Sequence, residues 1–168
     1  MEANTLKHEI EEFLGAHHVV HLATAAVAVH AVSVMYAPEG LALVWMSSLD
    51  TRHSRHLESD ARVAATVAPD YTDFRDIRGL QIFGTAQRIT GVAAVARAML
   101  LMTGRYGFLR EFASGPAPLR RAFESAGFYR LSPERITLID NTRGFGHKDT
   151  LLVTADGGVS VLAEQEAG

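Results

Sequence analysis

The sequence contains no cysteine, which excludes disulfides, thiolate nucleophiles and cysteine-based zinc or iron–sulfur sites. It also lacks a strong charge imbalance, because 16 Lys and Arg against 19 Asp and Glu give a formal net charge of −3. A general nucleic-acid binder would be clearly basic, so we expect no nucleic-acid partner. Long apolar runs are absent as well: the longest apolar stretch without a charge, Val19 to Pro38, is interrupted by His21 and His30. We therefore expect no membrane span, no signal peptide and a cytoplasmic location.

What the chain does contain is enough apolar sequence for a buried core. Hydrophobic residues make up 48% of its 168 residues, which favours one domain covering residues 1–168. The N-terminal segment, residues 1–15, is predicted to contain a helix, because apolar residues recur at helical spacing: Leu6, Ile10, Phe13 and Leu14. Asn4 or Thr5 would cap this helix, which would run to about Leu14 and end at Gly15. The tail, residues 163–168, is expected to be loose.

Short β-rich segments dominate the rest of the sequence. The predicted strands are Val19–Thr24, Val27–Tyr36, Leu41–Met46, Ala61–Ala68, Leu80–Ile89, Phe128–Leu131, Arg135–Ile139 and a hairpin of Leu151–Val153 with Val159–Leu162. The first three are expected to be consecutive antiparallel neighbours. The predicted later helices are Thr51–Glu58, Val92–Thr103 (capped by Thr90) and Pro118–Ser125. This order predicts a mainly-β fold, an antiparallel barrel with added helices.

The most informative segment is Met46–Leu57, MSSLDTRHSRHL. A strand ends in it, the hydroxyls of Ser47 and Thr51 follow, and a helix then begins with Arg52 and His53. Unpaired N–H groups at a helix N-terminus, nearby hydroxyls and a guanidinium together make an anion pocket. An ordinary Thr-capped helix with solvated arginines is the alternative interpretation.

This segment resembles the FMN-binding split barrels related to pyridoxamine 5′-phosphate oxidase, in which Tyr-Thr-Asn is followed by Ser-Arg-Lys at the flavin phosphate. The matching positions here are Met46–Ser48 and Thr51–His53, followed by Asp60–Val63 for the family's Asn-Pro-Arg-Val. The resemblance continues through Arg78–Arg88, Phe128–Pro133 and Glu134–Asp149, and the last block is similar to an uncharacterised bacterial branch with an Asp-Asn-x-x-Gly-Phe-Gly motif. The resemblance implies a homodimeric, Greek-key split barrel that binds FMN.

The resemblance also implies which residues contact the flavin. Ser47, Thr51, Arg52 and His53 would surround the phosphate, and Met46 would also contact the cofactor. The isoalloxazine ring would lie along the second strand at Val32, Ser33 and Val34. Gln81 would reach the ring or ribityl chain, although the family's glutamine aligns with Gly79. The second subunit would contribute Asn141, Phe145, His147 and Lys148, a block whose glycines could equally serve only to shape a turn.

Several positions depart from the family pattern. His53 stands where the family usually has Lys, so phosphate binding is expected to be weaker and pH-sensitive. Val32 and Ala37 stand where the true oxidase has Arg and Lys, and its Arg-x-His motif is not reproduced in Arg143–Lys148. These departures argue against pyridoxamine phosphate as the substrate. The function expected is an FMN-dependent oxidoreductase with a small-molecule redox substrate, and no catalytic side chain is assigned.

Eight histidines leave other cofactors open. His17, His18 and His21 are expected to cluster on a strand, and His53 and His56 stand three apart on a predicted helix. No HExxH motif accompanies them, so no metal site is predicted. Some split barrels bind haem through histidine, so haem is the alternative cofactor and a non-catalytic flavin- or haem-binding or storage protein is the alternative function.

Overall fold

The computed structural model describes residues 1–162, so the predicted loose tail lies outside the described residues. The helices are α1 (Ala3–Ala16), α2 (Arg52–Ser59), α3 (Val92–Arg105), α4 (Phe108–Ser114) and α5 (Ala117–Glu124). The strands are β1 (Val19–Ala25), β2 (Val29–Met35), β3 (Ala37–Glu39), β4 (Ala42–Ser48), β5 (Arg62–Val67), β6 (Arg78–Arg88), β7 (Ala126–Asp140), β8 (Lys148–Val153) and β9 (Val159–Val161).

All nine of these strands belong to one antiparallel sheet, which confirms the mainly-β prediction. The strand order is β2-β1-β5-β6-β7-β4-β3, with β8 and β9 continuing from β7. β7 is the longest strand: its first part pairs with β4, its last part with β8, and β6 follows it throughout. The sheet curls so that β2 approaches β4 without pairing to it, and α1 packs against the enclosed core.

The core explains why α1 forms where its sequence pattern predicts. Leu6, Ile10, Phe13 and Leu14 are all buried and pack on the inner sheet face. Arg105 holds the end of this helix from α3, because its Nη2 donates to the carbonyl oxygens of Gly15 at 3.0 Å and His17 at 2.5 Å. Those carbonyls are among the groups that a helix C-terminus leaves unpaired.

A second apolar cluster covers only one part of the outer sheet face. Ala98 and Met102 of α3 and Leu109 of α4 pack on Val44 and Phe128 of β4 and β7. The outer face of β2, β1 and β5 carries no such helix, and Ala23, Ala31 and Ala64 are exposed there. Among residues 1–162, no single helix is long and apolar enough to span a membrane; α3 and α4 pass that test only as a pair, which is bent by 118°.

Several predictions about individual elements are wrong. The first two predicted strands are antiparallel neighbours, as expected, but the third is not next to them, because β4 pairs with β3 and β7. The two strands predicted over 128–139 form one strand, because a bulge between Phe83 and Gly84 of β6 accommodates Pro133 without ending β7. A Cβ on Gly84 would lie 2.2 Å from the Ser132 carbonyl oxygen, so only glycine fits this crossing.

The helix boundaries also differ in places. Glu2 rather than Asn4 or Thr5 precedes α1, and Gly91 rather than Thr90 precedes α3. Helix α4 was not predicted, since its seven residues are too short to show a clear helical period. Of the three clustered histidines only His21 lies on a strand, because α1 extends to Ala16 and His17 ends it.

Candidate functional site

The junction between β4 and α2 is a compact turn held by hydroxyl groups; we call Ser47, Ser48, Thr51, His53 and Ser54 the socket. Thr51 caps α2, and its Oγ1 accepts from the Ser54 amide at 3.3 Å. The Ser54 hydroxyl donates to the Ser48 carbonyl oxygen at 2.8 Å. Ordinary N-cap chemistry thus closes the turn.

His53 is the buried centre of the socket, with only 5% of its surface exposed. Its Nε2 lies 2.6 Å from Ser47 Oγ and 3.2 Å from Thr51 Oγ1. The structure therefore brings together three of the predicted phosphate contacts. Burial lowers the pKa of His53, and the nearby His30 and His56 lower it further. The ring is accordingly neutral near pH 7.

Two histidines that were not predicted as phosphate contacts lie beside the socket: His30, and His56, which the sequence links to His53 only through their spacing on α2. The His30 ring of β2 lies parallel to the His53 ring with 6.3 Å between centroids, and 6.0 Å from the His56 ring. The His56 Nδ1 is 3.1 Å from Thr24 Oγ1. Side chains alternate between the two faces along a strand, so the sequence of β2 could have indicated that His30 faces inward together with Val32 and Val34. Within residues 1–162, no three His, Asp or Glu side chains are placed to hold a metal ion.

Arg52, the first residue of α2, is exposed and has no carboxylate within 4 Å among the described residues. Its neighbour Arg55 pairs with Asp50 at 3.6 Å instead. A guanidinium beside a helix N-terminus that carries no competing acid suits an anion.

The predicted ring contacts on β2 can offer mainly backbone groups. Val32 and Val34 turn inward and pack against the core, whereas Ser33 faces outward. β2 is the edge strand of the sheet and pairs only with β1 in the described chain, so one line of its backbone N–H and C=O groups is open. The Met46 side chain packs beneath α3 and points away from the socket.

A cavity of about 1160 Å³ lies elsewhere, on the outer face of β1, β5, β6, β7 and β8. The strand registers place six polar residues side by side across this face: Ser33, His21, Thr66, Gln81, Thr137 and Thr150. His21 Nδ1 lies 2.8 Å from Ser33 Oγ, and the hydroxyls of Thr137 and Thr150 are 2.9 Å apart. Only Ser33 and Gln81 of this row were predicted as flavin contacts, because the row as a whole is visible only once the strand pairing is known.

The block after β7 forms one wall of this cavity; we call residues 140–149 the loop. Phe145, His147 and Lys148 line the cavity, whereas Asn141 ties the loop together behind it. Asn141 donates from Nδ2 to the Phe74 carbonyl oxygen at 2.7 Å and accepts from the Gly146 amide at 3.0 Å. Gly144 and Gly146 have φ of 136° and 75°, which explains both glycines. Phe145 between them is 85% exposed.

Charge holds the loop in place around Asp140, which is 3% exposed. One of its oxygens accepts from the Thr142 amide at 3.1 Å, and the other lies 3.1 Å from Arg78 Nε and 3.3 Å from Arg143 Nε. Arg143 also reaches Glu9 of α1 at 2.8 Å. Burial alone would raise the pKa of Asp140, but the Thr142 hydrogen bonds and the two guanidinium groups outweigh it, and the pKa is lowered. His147 Nε2 lies 2.8 Å from a carboxylate oxygen of Asp149.

The predicted contacts therefore fall into two groups that are separate within one protomer. Neither the socket residues nor Arg52 line the cavity, and Gln81, Phe145, His147 and Lys148 do. Arg135, whose guanidinium lies 5.8 Å from the centre of the Phe83 ring, lines the cavity as well and was not predicted. The socket follows β4, whereas the cavity lies on the opposite, outward face of the sheet.

Comparison with known protein families shows which family this chain belongs to. Residues 6–140 match the family described as pyridoxamine 5′-phosphate oxidase, and this stretch contains the whole socket. The chain belongs to this family. The family resemblance expected from the sequence is thus confirmed. Within the pyridoxamine 5′-phosphate oxidase family, the chain is 30% identical over 114 residues to a UPF0306 protein of Klebsiella pneumoniae, covering 68% of this chain and 69% of that one.

Solved structures agree on the fold of this family member. HutZ, a haem storage protein from Vibrio cholerae, superposes with a TM-score of 0.62 at 18% identity, over 80% of this chain and 92% of HutZ. An FAD-binding protein from Mesorhizobium loti gives a TM-score of 0.58 at 18% identity, over 76% of this chain and 89% of that one. At such identities these likenesses establish the split-barrel fold and leave the cofactor undecided.

Proposed function

We propose that this protein is an FMN-binding oxidoreductase that acts as a homodimer, with two flavin sites that are each built from both subunits. The observation that carries the proposal is the socket, in which Ser47, Thr51 and His53 converge at the start of α2. It stands at the position where the family resemblance puts the flavin phosphate. The substrate proposed is a small redox molecule of unknown identity.

The residues present suit a phosphate monoester. The amides at the start of α2 supply hydrogen-bond donors and a partial positive charge, and the hydroxyls of Ser47 and Thr51 can turn to donate. Arg52 can bind two phosphate oxygens at once. No carboxylate of the described chain competes for it.

The separation between the socket and the cavity supports the proposal of a shared site. One protomer has phosphate contacts in one place and ring contacts in another, so neither group alone encloses a flavin. Three alanines line the cavity on the outer face of the sheet: Ala23, Ala31 and Ala64. Their small side chains would let a second copy of the chain approach this face closely. A twofold dimer would bring the socket of one subunit to the cavity of its partner.

When bound, FMN would supply two-electron redox chemistry, while the chain supplies placement. The open edge of β2 can hydrogen-bond a ring, Gln81 and Thr66 can meet polar atoms from the cavity side, and Phe145 can exclude water. No cation stands at Val32 or Ala37, and Ala37 is buried under α3. Oxidation of pyridoxamine phosphate is therefore not part of the proposal.

A first experiment is the titration of purified protein with FMN by fluorescence quenching. Arg52→Ala should weaken binding by about 1.5–3 kcal/mol, the scale of a charged hydrogen bond. Arg55→Ala is the matched control, because it removes an arginine of the same helix that pairs with Asp50. No measurable FMN binding by the unmodified protein would refute the proposal.

Mixed dimers test the sharing of the site. Arg52→Ala alters the socket and Phe145→Ala/Lys148→Ala alters the cavity, so each variant alone should bind FMN weakly. Exchange of subunits between the two should restore roughly a quarter of the sites, since half of the dimers are mixed and each has one intact site. If both groups served one protomer, mixing would restore none.

Haem is the second candidate, and one residue favours it. His21 is exposed in the cavity and its Nδ1 lies against Ser33, which would leave Nε2 for a metal. HutZ, which has the same fold, is described as a haem storage protein. A haem titration that gives a Soret band shifted by His21→Ala would support a binding or storage function; FMN binding without a His21-dependent Soret band would exclude it.

A further inference from the structure

Three imidazole rings surround the buried end of the socket, and they come from two different elements. His30 belongs to β2, whereas His53 and His56 belong to α2. The His30 ring is 6.3 Å from that of His53 and 6.0 Å from that of His56. Within residues 1–162 no carboxylate lies within 4 Å of a ring nitrogen of any of the three. Such a cluster has three sites for a proton and no resident counter-charge.

The surroundings of His53 decide how this cluster behaves when the socket is empty. The buried residues of β1 and β6, the two sheet-centre strands that contact α2, are apolar apart from Thr24. On α2 itself the charged neighbours Arg52 and Arg55 are exposed, and Asp50 pairs with Arg55. No carboxylate of the described chain therefore stands beside His53 to balance the charge of an imidazolium. Burial and the two other histidines lower its pKa.

An anion in the socket would reverse this balance. A phosphate dianion beside His53 would supply the missing counter-charge, and an opposite charge within a few ångströms favours the protonated ring. His30 is only half-buried and its ring nitrogens have no hydrogen-bond partner in the described chain, so they are available to contact an anion in the socket. His56 differs, because its Nδ1 is engaged by Thr24.

We propose that His30 and His53 act together as the phosphate-recognition pair, in place of the family's lysine, and take up a proton when a phosphate monoester binds. This inference rests on the proposed function, since it concerns the same socket. It adds His30 to the binding residues and makes the protein distinguish FMN from riboflavin by an amount that depends on pH.

The test is FMN and riboflavin binding between pH 6.5 and 8.5, a window that lies above the second ionisation of a phosphate monoester near 6. For each proton taken up, the FMN dissociation constant should rise up to tenfold per pH unit. Riboflavin has no phosphate, so its dissociation constant should not change across the window. His53→Lys should bind FMN with a shallower pH dependence than the unmodified protein, because only His30 of the pair remains, and His30→Gln should bind FMN more weakly at pH 6.5 and also with a shallower slope.

Calorimetry measures how many protons the protein takes up when FMN binds, and it needs no variant protein. FMN binding at pH 7.5 in two buffers with different ionisation enthalpies should show net proton uptake, and riboflavin binding should show none. FMN binding with no proton uptake, or His30→Gln that matches the unmodified protein, would overturn this inference and leave the proposed function intact. Absence of FMN binding at every pH would overturn both.

Discussion

The socket and the loop are both short turns between secondary structure elements, but different forces hold them. Neutral hydrogen bonds between hydroxyls, a carbonyl and an imidazole close the socket. The loop is fixed by the buried carboxylate of Asp140, which two arginines and a threonine surround, and by Glu9 of α1, which pairs with Arg143. Mutations and pH should therefore affect the two regions differently.

The largest effect should come from the charge at the centre of the loop. Asp140→Ala removes the acceptor of four contacts and leaves Arg78 and Arg143 without this partner. Breaking a fully buried ion pair costs roughly 3–5 kcal/mol. The side chains of Arg78 and Arg143 are 40% and 35% exposed, so water screens their charges. We therefore expect Asp140→Ala to lower the free energy of unfolding by about 2–3 kcal/mol. Denaturant unfolding measures the loss.

Asp70→Ala serves as the matched control, because Asp70 is exposed and should tolerate the change within about 0.5 kcal/mol. A loss for Asp140→Ala no larger than that of the control would show that the ion pairs do not hold the loop.

The socket should lose less when its cap is removed. Thr51→Ala deletes the hydroxyl that accepts from the Ser54 amide, and loss of an N-cap typically costs about 1 kcal/mol. Thr51→Ser keeps the hydroxyl and should restore most of the stability in the same denaturant measurement. If Thr51→Ser were as unstable as Thr51→Ala, the threonine would act through its methyl group and not as a cap.

The two regions also differ in how much of them the sequence could predict. The socket is contiguous, so the local sequence order together with the family resemblance could predict that Ser47, Thr51 and His53 lie together, as they do. His30 reaches them only because β2 lies beside α2, which no local pattern encodes. The polar row on the outer face requires five strand registers at once, and the bulge at Gly84 shifts one of them. Long-range pairing is therefore what the sequence analysis lacked.

Acid should weaken the two regions in separate pH windows. The pKa of His53 is lowered by folding, so from about pH 6.5 downward the unfolded chain takes up a proton before the folded one does, and stability falls. The pKa of Asp140 is lowered too, so its contribution is present above about pH 4 and is lost only below that value. Unfolding free energies measured from pH 8 to 3 should show both phases.

Single variants assign these two phases. His53→Gln should remove the phase near pH 6 and keep the lower one, whereas Asp140→Asn should do the opposite. A first phase that persists in His53→Gln would mean that another histidine causes it.

The smallest effect on stability should come from the most exposed residue of the loop. Phe145 packs edge-on against Phe74, with ring centroids 5.8 Å apart, but it is 85% exposed. Phe145→Ala should therefore change the free energy of unfolding by no more than about 0.5 kcal/mol. An exposed phenylalanine between two glycines with positive φ contributes little to folding, so its expected role is contact with a ligand or a second subunit.

FMN titration of Phe145→Ala should show weaker binding with unchanged stability, and Phe145→Leu should recover part of the binding through its apolar contact. If stability fell by 2 kcal/mol while FMN affinity stayed the same, Phe145 would belong to the fold and not to the site.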